Sequence, residues 1–596
     1  MTGAGMLGFV TPVGANATDP LADVPAADAF WRMLPRSDAI EAQKAVCGAL
    51  ADLVARDKPS MGRLRAVLAL DRRARKLIDS LLVNYVAGAS RPPELEKSYW
   101  QAAFELCGSF GEAHGYFLRC MRSRLLFQGW REYLPFVALR LFQHRQMELL
   151  LRPFADDRFA PVSWNDVHEV YRFVESRKLL HEPLPIYRCH TRQKAETTLE
   201  REYIHVLLQN LINDAQFPPY DAFWVSQNIP RWCHALALKP HQADANEQGF
   251  EVDVNGDAGL TRSSREAAGT RLGLDTIPLL ESIREELAGL RDAREPSADA
   301  PVPGRGRQVK VLRKLSVLCA PKRPVIVRRG ERKPAAVTVE VVSGILEILR
   351  ALRDTPKNAA AAAPADVPEI EEITITAVSE FTELPTTIMS FGGLADPTTV
   401  GLPGGASTVT QWSMSAGELK HPSMKLVDRS ESGCRLHGQM FGTNRVMPGT
   451  LIAFREDAAF PWTLAVVRRI DRLAGGRIEI GAEYVGTDPR GVIVGVAIDS
   501  DRVPAGSAGG ERARFAALYL PESVKRPTLP IKTLVLPARR FATAEHLMLW
   551  SAAAVFTIRL KEPLEEQSGF VWSPFEILDR QPRENPEAAD AVPATH

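Results

Sequence analysis

"VDRSESGCRL", residues 427–436, carries Asp428, Ser430 and Gly433 in the pattern D-x-S-x-x-G, immediately before a run of strand-like residues. Asp, Ser and Gly are the side chains that any tight turn selects, so the decapeptide predicts a turn between two strands. The same three residues also suit a phosphate- or base-binding turn, because they offer an acceptor, a hydroxyl and a backbone that can be approached closely. Downstream, short β-branched and apolar segments alternate with Gly, Pro and Asp. They are "TLIAFRE", "WTLAVVRRI", "RIEIGAEYV", "GVIVGVA", "IKTLVLPA" and "AVFTIRL". Many short strands with turn residues between them predict an antiparallel barrel or sandwich.

Upstream of the turn the composition changes twice. Residues 305–333 hold eleven Lys or Arg against one acid, Glu331. Arg328 and Arg332 stand four apart there, directly before the β-branched run "AAVTVEVVSGI". The stretch from Arg305 to Arg323 lacks interleaved aromatics and shows no amphipathic pattern, which disfavours a nucleic-acid or anionic-lipid patch and favours a solvated linker. Between the β-branched run and the turn lie the Ala-rich "KNAAAAAPADVPEIEEI" and a Gly/Thr-rich region, together an extended insertion.

The first third of the chain has a helical period. In "RRARKLIDSLLVNYVAG", Ala74, Leu77, Ile78, Leu81, Leu82 and Tyr85 form one apolar stripe. "SWNDVHEVYRFVESRKLL" begins with a capping serine, and Thr197 with Glu200 has capping-box spacing before another apolar stripe. Trp31, Trp100, Trp130, Trp164, Trp224 and Trp232 lie in this part and are expected to fill its core rather than line a groove. His144, His168 and His205 fall on helices without a ligand spacing such as H-E-x-x-H, so hydrogen-bonded or solvated histidines are expected. Cys189, His190 and nearby His181 fit no common metal site.

A chain of 596 residues is too long for one core. Its domains are expected as follows. Residues 1–28 form a disordered N-terminus, 29–235 an α-helical domain, and 236–304 short strands, a helix and a linker. Residues 305–410 hold the basic segment, the first barrel strand and the insertion, 411–500 a barrel, 501–580 a further β-rich segment, and 581–596 a disordered tail. The fold class is therefore multidomain α + β. A net charge of +1 gives no overall field to steer nucleic acid or membrane. Seven cysteines with no C-x-x-C pair predict reduced thiols. The N-terminus makes a poor signal peptide, and no apolar run is long enough for a spanning helix, so a cytoplasmic protein is expected.

The residues after 411 resemble the PilZ-domain family, small β-barrels that bind the bacterial second messenger cyclic di-GMP. The resemblance rests on "VDRSESGCRL", "PGTLIAFRE" and "WTLAVVRRIDRLAGGRIEIGAEYVG", the last ending in a Gly481-to-Tyr484 element of the family's G-x-x-F/Y type. The family's second motif, R-x-x-x-R before the first strand, is met only by Arg328 and Arg332. That placement requires about eighty residues inserted after the first barrel strand, which loop-closure entropy tolerates. The resemblance implies a cyclic di-GMP site made by Arg328, Arg332, Asp428, Ser430 and Gly433. Arginine forks pair with phosphate and with the O6/N7 edge of guanine. Asp428 would accept guanine N–H groups, and closure of the arginine strap would be the signalling event.

An enzyme is not expected, because G-x-S-x-G, a G-K-[ST] phosphate loop and a metal-binding His pair are all missing. No cofactor or metal is expected beyond the suspected ligand. The chain is thus expected to be a bacterial cyclic di-GMP receptor or adaptor with an unidentified protein partner. The alternative is a degenerate PilZ-like scaffold that binds proteins and no nucleotide.

Overall fold

The computed structural model describes residues 19–35, 37–86, 93–123, 128–154, 163–186, 196–240, 249–263, 271–292, 305–322, 331–353, 421–439, 446–473, 477–496, 514–521, 532–537, 546–550, 554–567 and 569–582. Of the two termini expected to be disordered, residues 19–28 are described, with 24–28 opening the first helix, and residues 581–582 end the last strand; the rest fall outside these ranges. The N-terminal region is helical and the C-terminal region is antiparallel sheet closed into barrels, giving a multidomain α + β protein.

The helical domain comprises α1 (Val24–Met33), α2 (Ala39–Arg56), α3 (Met61–Val86), α4 (Pro93–Arg122), α5 (Leu134–Leu151) and α6 (Trp164–Ser176). After a minimal ribbon of β1 (Leu184–Pro185) and β2 (Glu196–Thr197) come α7 (Leu199–Asn213) and α8 (Pro219–Trp232). Local chemistry starts several helices: Asp38 caps α2 by accepting from the Ile40 and Glu41 amides, and Ser163 caps α6. At α7 the cap is Thr198, one residue later than its sequence spacing suggests, while the Thr197 hydroxyl donates to Glu202. The stripe on α3 is buried at Ala74, Ile78, Leu81, Leu82 and Tyr85. Trp100, Trp130, Trp164, Trp224 and Trp232 are all core residues, as their aromatic bulk predicts, and Trp31 packs on the same core.

Four short strands extend this core: β3 (Leu238–Pro240), β4 (Phe250–Asp253), β5 (Thr261–Arg262) and β6 (Arg271–Leu274), in the order β3-β6-β4-β5. Helix α9 (Ile277–Asp292) follows and packs into the same core against α8 and the helix after it. The basic segment is not a solvated linker throughout: Arg305–Leu318 forms helix α10. Its Val311, Leu312 and Leu315 are buried in the helical domain's core, and the flanking cations stand around that stripe.

The first barrel begins with β7 (Lys333–Ser343), continues through α11 (Ile345–Arg353), and resumes at β8 (Ser423–Arg429) and β9 (Gly433–Gln439). It ends with β10 (Leu451–Arg455), β11 (Thr463–Leu473) and β12 (Arg477–Thr487). β7 pairs with both β8 and β10, closing the ring β10-β11-β12-β9-β8-β7. The first strand therefore does lie about eighty residues ahead of the second.

A second closed barrel follows: β13 (Arg490–Val496), β14 (Arg514–Leu520), β15 (Thr533–Pro537), β16 (His546–Trp550), β17 (Ala554–Leu560), the two-residue β18 (Glu565–Glu566), and β19 (Phe570–Pro582). "GVIVGVA", expected in the first barrel, supplies β13 of the second instead. Numbering the six main strands of each barrel in chain order, both walls run 1-4-5-6-3-2 and close on strand 1. The two barrels are topological duplicates.

Strand composition explains how they sit together. On β10, Ile452 and Phe454 point into the first barrel, while Leu451 and Ala453 join a separate core with α11 and Trp572 of the second. On β15, Leu534 and Leu536 face inward and Val535 faces that shared core. Strands buried on both faces lose the apolar–polar alternation of a half-exposed sheet, which accounts for unbroken runs such as "TLIAF" and "TLVLP".

Candidate functional site

The D-x-S-x-x-G segment closes the β8–β9 hairpin. Ser430 donates from its backbone N–H to the Gly433 carbonyl at 2.8 Å, and its hydroxyl donates to the same oxygen at 3.1 Å. Both donors are thereby spent on the turn. Gly433 stands where a side chain cannot: a Cβ there would meet the Ala482 carbonyl oxygen of β12 at 2.3 Å. The Tyr484 amide donates to the Ser432 carbonyl at 3.0 Å, fastening the turn to β12. The Cys434 thiol contacts the Tyr484 hydroxyl, and burial pushes that thiol up to about 12.

Asp428 is the buried charge of the site, 7% exposed. Two arginines reach it from opposite sides. Arg435 of β9, its cross-strand partner, approaches Oδ2 at 2.6 Å and also reaches Glu479 at 3.4 Å. Arg332, just ahead of β7, lies 3.3 Å from Oδ1. Pairing of β7 with β8 makes the second contact, since Pro334 on β7 is the register partner of Asp428 on β8. Arg332, Asp428, Ser430 and Gly433, named from the sequence motifs, are thus gathered at one end of the β7–β8–β9 sheet. Arg328 lies outside the described residues.

Arg435 escaped the sequence reading. Its signal was available in the hairpin itself, because pairing across a short turn places the residue two after Gly433 opposite Asp428. The two arginines differ in how tightly they are held. Charge-assisted N–H···O contacts normally fall near 2.7–2.9 Å. Arg435 meets that standard, whereas Arg332 stands off at 3.3 Å with its side chain 46% exposed. Oδ1 of Asp428 is buried and accepts no hydrogen bond. The arrangement is a buried acceptor flanked by one fixed and one loosely held fork, chemistry suited to an anion or a guanine edge.

A second polar region lies where the helical domain meets both barrels, in a cleft of about 320 Å³. It includes Lys314, Arg307 and Asp221 from the helical side, Arg468 and Glu483 from the first barrel, and Glu565 from the second. Arg468 sits at an irregularity of the β11–β12 pairing between Val467 and Arg469. Turned out of the ladder there, it grips Glu565 with two bonds of 2.5 and 2.7 Å and Glu483 at 2.8 Å. Glu483 is the register partner of Gly433, so the cleft and the D-x-S-x-x-G turn share a rung of the barrel wall. Gln216 of the helical domain exchanges two hydrogen bonds with the Ile470 backbone, at 3.0 and 2.7 Å.

Among the expected histidines, His168 is buried between the Tyr203 hydroxyl at 2.7 Å and the Ala258 carbonyl at 2.9 Å, and His205 lies near Glu202. Cys189 and His190 lie outside the described residues. The six described cysteines are free thiols. No described helix is long and apolar enough to cross a membrane.

No curated protein and no solved structure matches the chain. One family does: residues 25–243, the helical domain through β3, match "Cyclic-di-GMP receptor FimW, N-terminal domain". The match ends well before Arg332 and the Asp428 turn. The helical half of this chain is thus similar to the N-terminal domain of the cyclic-di-GMP receptor FimW.

Proposed function

We propose that the protein is a non-enzymatic receptor for cyclic di-GMP whose site is the Arg332–Asp428 end of the first barrel, a PilZ-type domain. The observation that carries this reading is the approach of Arg332 to Asp428 at 3.3 Å although ninety-six positions separate them in sequence. Two motif halves meet because β7 pairs with β8 across the insertion. The helical domain's similarity to a cyclic-di-GMP receptor family supports the same ligand from a different part of the chain.

In this reading Arg332, the looser of the two forks, swings to a phosphate or a guanine O6/N7 edge. Arg328, four residues away, is tethered within about 14 Å of it. Asp428 accepts guanine N–H groups through Oδ1, the oxygen that Arg332 leaves when it swings away. Ser430 and Gly433 shape the turn and bring its backbone close to the ligand. Arg435 keeps Asp428 oriented while Arg332 is away.

Titration calorimetry of full-length protein with cyclic di-GMP tests the reading. Micromolar or tighter binding is expected, weakened about 10- to 100-fold in Arg332→Ala and in Asp428→Ala, as loss of a charged hydrogen bond predicts. No heat at tens of micromolar ligand, or unchanged affinity in both variants, would reject it. The alternative, a protein-binding scaffold, draws on the second barrel. That barrel repeats the topology, but its connection from β14 to β15, "PESVKRPTLPIK", contains neither Asp nor Gly. The second barrel is therefore assigned to contacts within the molecule or with a protein partner.

A further inference from the structure

Three helices of the N-terminal domain each send one metal-ligating side chain to a single point in its core. Asp71 comes from α3, His114 from α4 and His144 from α5. One ligand atom of each lies within 4.8 Å of the others, and the three residues are 0%, 0% and 1% exposed. Both imidazoles present Nε2 to the same carboxylate oxygen, His114 at 2.8 Å and His144 at 3.1 Å from Oδ2. The rings lie nearly parallel, with centroids 5.8 Å apart, and Phe110 stacks on both. Such packing fixes the direction in which each nitrogen points.

Hydrogen bonding accounts for only part of this arrangement. Two imidazole N–H groups satisfy Oδ2, yet Oδ1 of Asp71 is fully buried with no donor at all. An ionised carboxylate oxygen left unpaired inside a helical core is costly. A divalent cation removes that cost: it draws on both the carboxylate charge and the imidazole lone pairs. Two histidines and one carboxylate are a borderline-soft donor set of the kind zinc takes. Ligands projecting inward from separate helices are also the usual way a helical bundle builds a metal centre.

We propose that Asp71, His114 and His144 form a structural site for one divalent transition ion of the zinc class, tying α3, α4 and α5 together. Full burial assigns it a structural role, because no substrate reaches a site closed on every side. The proposal does not depend on cyclic di-GMP binding. No single helix carries two of the ligands, so no spacing rule in the sequence reveals the site.

The test is the metal content of tag-free, full-length protein expressed in zinc-supplemented medium and dialysed against metal-free buffer. Mass spectrometry of the digested protein is expected to find about one zinc per chain. A control His181→Ala should keep it, and His114→Asn and His144→Asn should each lose it. Should those variants fail to fold, wild-type protein grown with cobalt in place of zinc supplies the second measurement. Visible d–d absorption of a low-symmetry nitrogen–oxygen site is then expected. Wild-type protein that is folded, holds less than about a tenth of an equivalent of any transition metal and gives no cobalt spectrum would overturn the proposal.

Discussion

Gly433 faces the Ala482 carbonyl so closely that even a methyl group has no room. Gly433→Ala is expected to destabilise the barrel by about 1–3 kcal/mol, the usual cost of overpacking against a backbone, as a lowered urea midpoint would show. Arg332 behaves differently, since its ion pair is half exposed and such pairs contribute about 0–1 kcal/mol. Arg332→Ala should therefore leave the melting temperature nearly unchanged while weakening ligand binding, which separates a recognition residue from a structural one. Asp428, Ser430 and Gly433 were legible because a turn motif is local, and Arg332 because R-x-x-x-R is local too. Their meeting was expected only from the family resemblance and not from any local pattern. It depends on the register of β7 against β8, which the intervening insertion hides. Arg435 was missed for the converse reason: it belongs to no motif and matters only through cross-strand pairing.

Helix α10 shows how an element can be misread. Val311, Leu312 and Leu315 make a narrow apolar stripe among Arg305, Arg307, Lys310, Arg313 and Lys314, so average polarity conceals it. Two of those cations are structural. Arg307 Nε lies 2.5 Å from Asp221 Oδ1, and both side chains are buried. Removing one partner strands the other charge, so Asp221→Ala should cost about 3–5 kcal/mol in denaturant titration. Lys314 lies 4.8 Å above the Phe217 ring, and desolvation, with Arg468 nearby, pushes its ammonium down to about 8. The unfolded chain then holds this proton over a range, from about 8 to the ordinary 10.5, where the folded protein has released it. Stability from this group therefore grows as pH rises through that window and is lost as pH falls through about 8. The stability of wild type relative to Lys314→Met should rise between pH 8 and 10, a direction that pH-dependent unfolding of the two proteins checks.

At the scale of the molecule, Gly449 marks where the three units touch. Its φ is +88°, and a Cβ there would lie 2.6 Å from Gln567 Oε1 of the second barrel and 2.8 Å from Pro218 of the helical domain. The neighbouring Met447 already packs against the helical core. With Arg468 and Gln216 bridging the same region, the wild type is expected to melt in one calorimetric transition. Gly449→Val should split it into two, because the side chain pries the junction open while sparing the barrel interiors. The helical N-terminal region and the β-rich C-terminal region were legible from periodicity and from the spacing of turn residues. The duplication was not: the second barrel repeats the path without the motifs, and strands buried on both faces lose the alternation that would have marked them.

The long interruption between the first and second strands also sets an order of events during synthesis. β7 emerges about eighty residues before β8, its partner on one side, and more than a hundred before β10, its partner on the other. At about 5–20 residues per second the strand waits on the order of 4–16 s for β8 to be made. Helix α11, which packs on β7, is complete within ten residues of the strand's end. The helix can thus shelter the strand on the ribosome before it joins the wall between the finished barrels. Ribosome-stalled chains ending near residue 400, long enough to carry α11 out of the exit tunnel, should accordingly protect β7 from protease only while the α11 residues Ile348 and Ala351 remain apolar.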